Sequence, residues 1–243
     1  MSKTTSTLKV AALLTVAGLS ITACQKKSEN TPVPAATFLQ VIHASPKTAE
    51  VTINVNEKKY QQKTTYLSSL NSYGRLEAGK DLPIKLSMGS NVVANGKFSF
   101  ENGAAYSLFI YDTLTNNKVK FVILKDMISN PGTTKANIRF LHLSPNTPPV
   151  DIDVFSGNDS IRLVKAGAYI GNSPDVTALA PFKTIITGKF RVKVKTMVGN
   201  KIVTLLDIPS LELSGQKTYT LFLKGVNNGS SDAAIGLQLW MHK

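Results

Sequence analysis

"VIHASPKTAEVTINV" occupies residues 41–55, and "FLHLSPNTPPVDIDV" occupies residues 140–154. Aligned without gaps, the two stretches are identical at seven of fifteen positions, where unrelated segments would share about one. A later pair, "YSLFI" from Tyr106 and "YTLFL" from Tyr219, also matches, at an offset of 113 rather than 99 positions. The chain is therefore predicted to contain an internal repeat, with extra loop residues in the second copy.

Each copy is typical of short strands separated by Gly, Pro and Asn turns. In "VDIDV" (150–154) the aliphatic residues share one face of a strand and the two aspartates share the other. The first copy keeps the aliphatic residues and has Thr52 and Asn54 in place of the aspartates. No stretch sustains helical periodicity over three turns. The fold class predicted is all-β, with two tandem immunoglobulin-like antiparallel β-sandwich domains after a signal peptide and a flexible tether.

The N-terminus indicates an exported lipoprotein. A basic head with Lys3 and Lys9 precedes the apolar run 10–21, which at twelve residues is too short for a membrane span of about 20. Ile21-Thr22-Ala23-Cys24 then resembles a bacterial lipobox, in which the cysteine is lipidated, and Cys24 is the single cysteine of the chain. Lipidation is thus predicted at Cys24, each buried methylene adding about 0.8 kcal/mol of membrane affinity.

The predicted organisation has four parts. Residues 1–23 form the signal peptide, 24–36 a lipidated tether that is polar and disordered or extended, 37–130 the first sandwich and 135–243 the second. The expected location is the cell envelope, anchored most simply in the outer membrane. The segment 25–29, "QKKSE", lacks the acidic residues typical of surface-exported lipoproteins, so the periplasmic and surface faces both stay open.

The composition bears on partners. Removing the signal peptide takes the formal charge from +13 to +11 (13 minus 2, for Lys3 and Lys9), which attracts anionic surfaces. In an envelope these are lipopolysaccharide, phospholipid headgroups and wall polymers. No nucleic-acid-binding motif occurs, so nucleic acid is not expected as a partner. The oligomeric state is left open.

His43 and His142 lie on an apolar strand face directly before a Ser-Pro step, which a central strand cannot continue through. They are interpreted as structural, together with Ser45, Pro46, Ser144, Pro145 and Asp151. A metal site needs a cluster of ligands, and the remaining histidine is His242 at the chain end. No metal and no cofactor are expected.

No catalytic residue is predicted. The chain has no G-x-S-x-G elbow, no H-E-x-x-H and no phosphate-binding G-x-x-x-x-G-K. Ser45 and Ser144 follow a histidine by two residues and share its face, but Ser before Pro is a common turn starter. A hydrolase is the less favoured alternative, and it requires a His-Ser pair that is open to solvent.

The candidate binding feature is "GKFRVKVK", residues 188–195. Lys189, Arg191, Lys193 and Lys195, here called the basic stripe, fall on one strand face about 7 Å apart. The stripe could be a solvated face, a guarded edge strand or a rail for an anionic polymer.

Three smaller features complete the candidates. Tyr106 and Tyr219 resemble the structural tyrosine corner of sandwich domains. Thr113 and Ser160 lie in D-[ST]-aliphatic sequences like those O-glycosylated in Bacteroidota envelope proteins. Trp240, the single tryptophan, is in the last predicted strand, so exposed aromatic platforms for a neutral sugar are scarce.

The stretch "IRFLHLSPNTPPVDIDV" from Ile138, with the later "GQKTYTLFLKG", resembles a bacterial envelope family of domains of unknown function, numbered four-three-nine-seven. The resemblance covers nearly all of the mature chain, and the first copy is the more degenerate one. It implies exported or lipid-anchored β-sandwiches, often in tandem, and no activity. The expected function is a non-catalytic binding or structural module, for an anionic envelope glycan or a protein partner; an oligosaccharide-capturing accessory lipoprotein is the alternative.

Overall fold

A computed structural model describes residues 34–68 and 72–242 of the 243-residue chain. The signal peptide, Cys24 and most of the tether, and the predictions made for them, lie outside the described residues. The chain from Pro34 onward forms one compact unit. Within the described part, no helix is long and apolar enough to cross a membrane.

The described residues of the first repeat form eight strands in two four-stranded sheets. The first sheet has the order β4-β1-β7-β8 and the second the order β3-β2-β5-β6. All pairings are antiparallel except that of β1 with β7, which is parallel. The strands are β1 (Ala36–His43), β2 (Val51–Val55), β3 (Lys58–Thr64), β4 (Gly74–Glu77), β5 (Gly79–Met88), β6 (Asn91–Phe100), β7 (Ala105–Thr115) and β8 (Lys118–Lys125).

The second repeat has the same plan, strand for strand. Its sheets have the orders β12-β9-β15-β16 and β11-β10-β13-β14, and β9 and β15 form the parallel pair. A short helix α1 (Val176–Leu179) precedes β12 and is capped by the Asp175 side chain. The strands are β9 (Lys135–His142), β10 (Val150–Ser156), β11 (Asp159–Gly167), β12 (Lys183–Ile186), β13 (Gly188–Val198), β14 (Lys201–Leu213), β15 (Thr218–Lys224) and β16 (Gly236–His242).

The predicted all-β sandwich architecture is confirmed, but the strand order departs from the immunoglobulin one. In a constant-type immunoglobulin domain, strands one, two, five and four form one sheet and three, six and seven form the other. Here the first, fourth, seventh and eighth strands share a sheet. The immunoglobulin-like description therefore does not hold for strand order, because alternation along a strand identifies its buried face and not its neighbours.

Alternation fixes the core of each sandwich as expected. In both β2 and β10 the aliphatic residues point inward and are at most 5% exposed. The inward residues of the two sheets pack into one cluster in each repeat. Tyr106 and Tyr219 belong to these clusters, and each hydroxyl accepts a backbone N–H from five residues upstream, Glu101 and Ser214 respectively.

A third apolar cluster joins the two repeats. It is formed by the outer faces of the β1-containing and β9-containing sheets, so those sheets are covered on both sides. Phe109 and Phe222, which are equivalent in the repeat, meet there with ring centroids 6.0 Å apart. The buried members of this inter-repeat cluster are Ile42, Ala44, Phe109, Tyr111, Val122, Leu124, Leu141, Leu143, Ile170 and Phe222.

Candidate functional site

The two repeated histidines are closed off from solvent. His43 and His142 are 0% and 1% exposed, and Ser45 and Ser144 are both 0% exposed. The Ser45 hydroxyl lies 2.6 Å from the Thr48 hydroxyl, and the Ser144 hydroxyl lies 2.7 Å from that of Thr147. Each serine hydroxyl therefore closes its own Ser-Pro turn and makes no bond to the histidine ring.

The buried histidine rings also contact the backbone of these turns. The Ser45 amide donates to His43 Nδ1 at 3.3 Å, and His142 Nε2 lies 3.3 Å from the Pro148 carbonyl oxygen. Burial lowers the pKa of His43 to about 4, against a smaller opposing effect of the Ala49 carbonyl. Burial also lowers the pKa of His142. Both rings are therefore neutral at pH 7.

Each histidine also contacts a tyrosine that reaches the other repeat. His43 meets Tyr66, and His142 meets Tyr169, both edge-on with centroids 6.4 and 6.0 Å apart. Lys224 of the second repeat lies over the Tyr66 ring, and Lys120 of the first lies over the Tyr169 ring. The two repeated histidines thus pack against the tyrosines that make two lysine–tyrosine contacts between the repeats.

A buried polar cluster forms the rest of this interface. Asp126 Oδ1 and Arg139 Nη2 are 2.7 Å apart, with side chains 0% and 1% exposed. Asp126 Oδ2 accepts the hydroxyls of Ser107 at 2.5 Å and Tyr73 at 2.8 Å. Arg139 Nε donates to Thr220 Oγ1 at 2.9 Å. The inter-repeat polar cluster comprises Gln40, Tyr73, Ser107, Asp126, Arg139, Thr220 and His242, and the Phe182 ring lies against Arg139 and His242.

His242 completes the hydrogen bonding of this cluster. Gln40 Nε2 lies 2.8 Å from His242 Nδ1 and donates its other hydrogen to Ser107. Nδ1 is therefore the acceptor nitrogen, and Nε2 carries the hydrogen and donates to Thr220 Oγ1 at 2.8 Å. Burial, with Arg139 nearby, lowers the pKa of His242 to about 3.

The polar cluster is built from equivalent positions of the two repeats. Comparison of the strand registers shows which positions are equivalent in the two repeats. Gln40 is equivalent to Arg139, Tyr73 to Phe182, Ser107 to Thr220 and Asp126 to His242. Gln40 contacts His242, and Arg139, the equivalent of Gln40, contacts Asp126, the equivalent of His242. Such reciprocity is the pattern of an isologous two-fold interface. The sequence pattern did not reveal these residues as a group.

The four side chains of the basic stripe share one face of β13, where Lys189 and Arg191 are exposed and Lys193 and Lys195 are half-buried. The strand is internal to its sheet, between β10 and β14. The guarded-edge interpretation is therefore wrong, because the strand has hydrogen-bonded neighbours on both sides. Its cations face carboxylates of those neighbours. Arg191 forms a two-pronged pair with Asp207, at 2.7 and 2.6 Å, and Lys195 lies 2.9 Å from Asp153.

The two remaining stripe lysines have more distant carboxylates. Lys193 lies 3.9 Å from Asp207 and Lys189 lies 3.8 Å from Glu212. The pKa values of Asp153 and Asp207 are lowered, by Arg162 and Arg191 respectively. The stripe is thus an alternating ion-pair surface, and its positive charge is largely offset.

Asp151, the signature aspartate, supports the neighbouring strand. Its carboxylate accepts the Ala166 amide at 2.7 Å and lies 2.9 Å from Arg162. Ala166 has a left-handed backbone, with φ of 48°, at an irregular register of β10 and β11. Among the described residues, no group of three or more His, Cys, Asp or Glu side chains is placed to hold a metal ion.

The glycosylation candidates differ in access. Ser160 is exposed beside the turn that joins β10 and β11. Thr113 is half-buried in β7, and its backbone N–H donates a hydrogen bond to the Asp112 carboxylate. Trp240 packs against the inter-repeat apolar cluster. It is therefore not available as a free surface platform for a sugar.

The hairpin of β13 and β14 carries an apolar surface that the sequence pattern did not single out. Thr52 and Asp151 are equivalent in the two repeats, and their strand partners, Ser87 and Lys195, are therefore equivalent too. One residue of β5 follows Ser87 and three residues of β13 follow Lys195, so the second hairpin is two residues longer per strand. The apolar tip consists of Met197, Val198, Ile202 and Val203, which are 54%, 58%, 69% and 40% exposed.

A cavity of about 300 Å³ lies at the base of this tip. Pro148 and Pro149 form one side, and Met197 and Ile202 form another. Its lining is mostly apolar, so it has the size and chemistry for a large apolar side chain. The signal in the sequence was the run "TMVGNKIV" (196–203), where apolar residues flank a Gly-Asn turn.

One protein family matches part of the chain. The family profile described as "Domain of unknown function (DUF4397)" matches residues 37–153. The match runs from β1 into β10 and so includes both histidine signatures, but it is shorter than the expected span of nearly the whole mature chain. No curated protein matches the sequence.

Among solved structures, a leucine-rich repeat protein from Bacteroides thetaiotaomicron aligns at 13% identity and a TM-score of 0.21. The alignment covers 76% of this chain and 26% of that protein's chain. A TM-score this low carries no argument about fold or function. Residues 37–153 of this chain, just under half of its length, match the DUF4397 family of domains of unknown function.

Proposed function

We propose that this protein is a non-catalytic, lipid-anchored cell-envelope protein whose duplicated body binds a protein partner through the apolar tip. The exposure of Met197, Val198, Ile202 and Val203 is the observation that carries the proposal. Met197 and Ile202 are cross-strand partners on one face of the hairpin, and Val198 and Val203 lie on the other face. Apolar side chains that are exposed together at one place on a domain surface mark interaction sites. The lipidation at Cys24 and the envelope location rest on the sequence pattern.

Two findings support a non-catalytic role. The hydrolase alternative needs a His-Ser pair open to solvent, whereas His43, Ser45, His142 and Ser144 are at most 1% exposed. The Ser107, Asp126 and His242 side chains do lie together, but these residues are at most 6% exposed. Asp126 is paired with Arg139, and His242 is bonded to Gln40, across the repeat interface. A substrate has no access to either group.

The geometry favours a protein over an anionic glycan. A polyanion would have to compete with Asp153, Asp207 and Glu212 for the cations of the basic stripe. The apolar tip and its cavity instead suit an extended protein segment that inserts one apolar side chain between Pro148 and Ile202. Interface cores of this kind are depleted in charge.

Oligosaccharide capture has less support. Sugar sites stack rings on exposed aromatic side chains, and no aromatic residue lines the tip cavity. We therefore place the partner surface at the hairpin and not at an aromatic pocket.

Site-specific photo-crosslinking in the native envelope tests the proposal. A photoreactive residue at Val198 should give a discrete adduct with an envelope protein, and Ile202→Lys should abolish it because a charge would enter the apolar contact. The matched control is a photoreactive residue at Ser90, in the equivalent turn between β5 and β6. Equal adducts from both hairpins, or an adduct that survives Ile202→Lys, would rule out the tip as the binding surface.

A further inference from the structure

A tyrosine fills a slot at the edge of the first repeat. Beyond Leu39, β1 has no further partner in β4, and the Tyr60 side chain covers this gap. Its hydroxyl donates to the carbonyl oxygens of Leu39 and, at 3.0 Å, Gly74. A side chain at position 74 would collide with the phenol oxygen. Burial of the phenol raises the pKa of Tyr60 to about 12.

The second repeat lacks this tyrosine. Asn54 and Asp153 are equivalent, and they pair with Lys59 and Arg162 respectively. The next residues, Tyr60 and Leu163, are therefore equivalent as well. Likewise Leu39 pairs with Gly74 and Ile138 with Lys183, so Lys183 is the equivalent of Gly74. The two changes are consistent with each other, because the glycine is needed only where the tyrosine is present.

A cavity of about 220 Å³ lies at this place in the second repeat. It lies between β9 and β11 and is bordered by α1 and the residues that follow it. Its walls include Phe140, Leu163 and Leu179, and its lining residues include two exposed lysines, Lys165 and Lys183, and no carboxylate. Arg139 also borders the cavity, but its side chain is 1% exposed and is paired with Asp126.

The cavity offers two kinds of polar contact. The carbonyls of Ile138 and Lys183 are the equivalents of those that accept the Tyr60 hydroxyl, and a carbonyl oxygen has two lone pairs. Lys165 and Lys183 add positive charge at the opening. Drug-sized ligands occupy cavities of about 300 to 1,000 Å³, so this smaller one suits a single substituted ring.

We propose that this cavity binds a small aromatic acid with a para hydroxyl group. The hydroxyl donates to the Ile138 and Lys183 carbonyls as the Tyr60 phenol does in the first repeat. The ring lies against Phe140, Leu163 and Leu179, and the acid group faces Lys165 and Lys183. This site shares no lining residue with the tip cavity, so it is independent of the proposed partner surface.

Titration calorimetry with 4-hydroxyphenylacetate tests the proposal on the body, residues 34–243. One saturable site is expected. Phenylacetate, which lacks the hydroxyl, should bind about tenfold more weakly, since one hydrogen bond is lost. Tyramine replaces the acid by a cation and should not bind. The variant Lys165→Gln, at an exposed position, should bind about threefold more weakly.

The decisive variant copies the first repeat into the second. Leu163→Tyr combined with Lys183→Gly should fill the cavity, keep the thermal unfolding midpoint and abolish binding. Tyr60→Phe, in the first repeat, is the matched control and should leave binding unchanged. The proposal is overturned if the unaltered body shows no saturable binding, if phenylacetate binds as well as the phenol, or if Lys165→Gln and the filled variant both bind normally.

Discussion

His43 and His142 show how a repeated histidine can serve a fold and not a reaction. Each ring is buried against its own Ser-Pro turn and against a tyrosine that contacts the other repeat. A protonated ring in either place would carry a charge that burial penalises. The signature residues therefore stabilise the protein in their neutral form.

A pH dependence of stability follows from these rings. Because the pKa of His43 is about 4 when folded and near 6.5 when unfolded, the unfolded chain binds more protons in between. Stability is thus present above pH 6.5 and is lost as the pH falls toward 4, by about 2 kcal/mol between pH 7 and pH 5 for His43 alone.

Denaturant unfolding at pH 7 and pH 5 measures this loss. The variant His43→Gln should be less stable than the unaltered protein at pH 7 and should show a smaller decrease between the two pH values. An unchanged pH dependence in the variant would show that His43 does not titrate as its burial requires.

At the scale of elements, alternation within a strand could be predicted from the sequence, and pairing between strands could not. The inward residues of β2 and β10 were identified correctly, as was the common face of the basic stripe. The carboxylates that offset that stripe, Asp153 and Asp207, come from two other strands. Their positions depend on register, which turn geometry and packing set over many residues.

The inter-repeat surface was missed although a signal for it exists. The segments "FLQVIH" (38–43) and "YSLFIY" (106–111) are apolar at positions of both parities, which is typical of strands buried on both faces. In an isolated sandwich the outer face of each sheet is exposed to water, so each strand is expected to have one polar face. Arg139, charged within such a segment, had no predictable partner because Asp126 lies beyond the end of β8.

The basic stripe supports a prediction that separates ion pairing from polymer binding. Replacing Lys189, Arg191, Lys193 and Lys195 by Gln, together with Asp207→Asn and Glu212→Gln so that no carboxylate is left unpaired, should leave binding of lipopolysaccharide vesicles nearly unchanged, because these cations already face carboxylates. Pairs at exposed positions contribute about 0 to 1 kcal/mol each, so the variant should stay folded. Co-sedimentation measures the binding, and a loss of most of it would restore the stripe as a polymer rail. Reversal to Glu is a poorer test, since the new carboxylates would face Asp153, Asp207 and Glu212.

At the scale of the whole molecule, the duplicated fold forms one body. Each repeat has its own sandwich core, and the third apolar cluster and the polar cluster bind the two together. The central ion pair is almost fully buried, and removing one partner of such a pair costs about 3 to 5 kcal/mol. Independent unfolding of either repeat would expose that pair to water together with the apolar faces around Phe109 and Phe222.

Differential scanning calorimetry of residues 34–243 tests this union most directly. We expect a single transition in which the calorimetric and van't Hoff enthalpies agree. In Arg139→Met, which leaves Asp126 without its cation, that single transition should move to lower temperature as a whole. Two separate transitions in the unaltered protein, or a shift of only one of two transitions in the variant, would show instead that the repeats are independent domains.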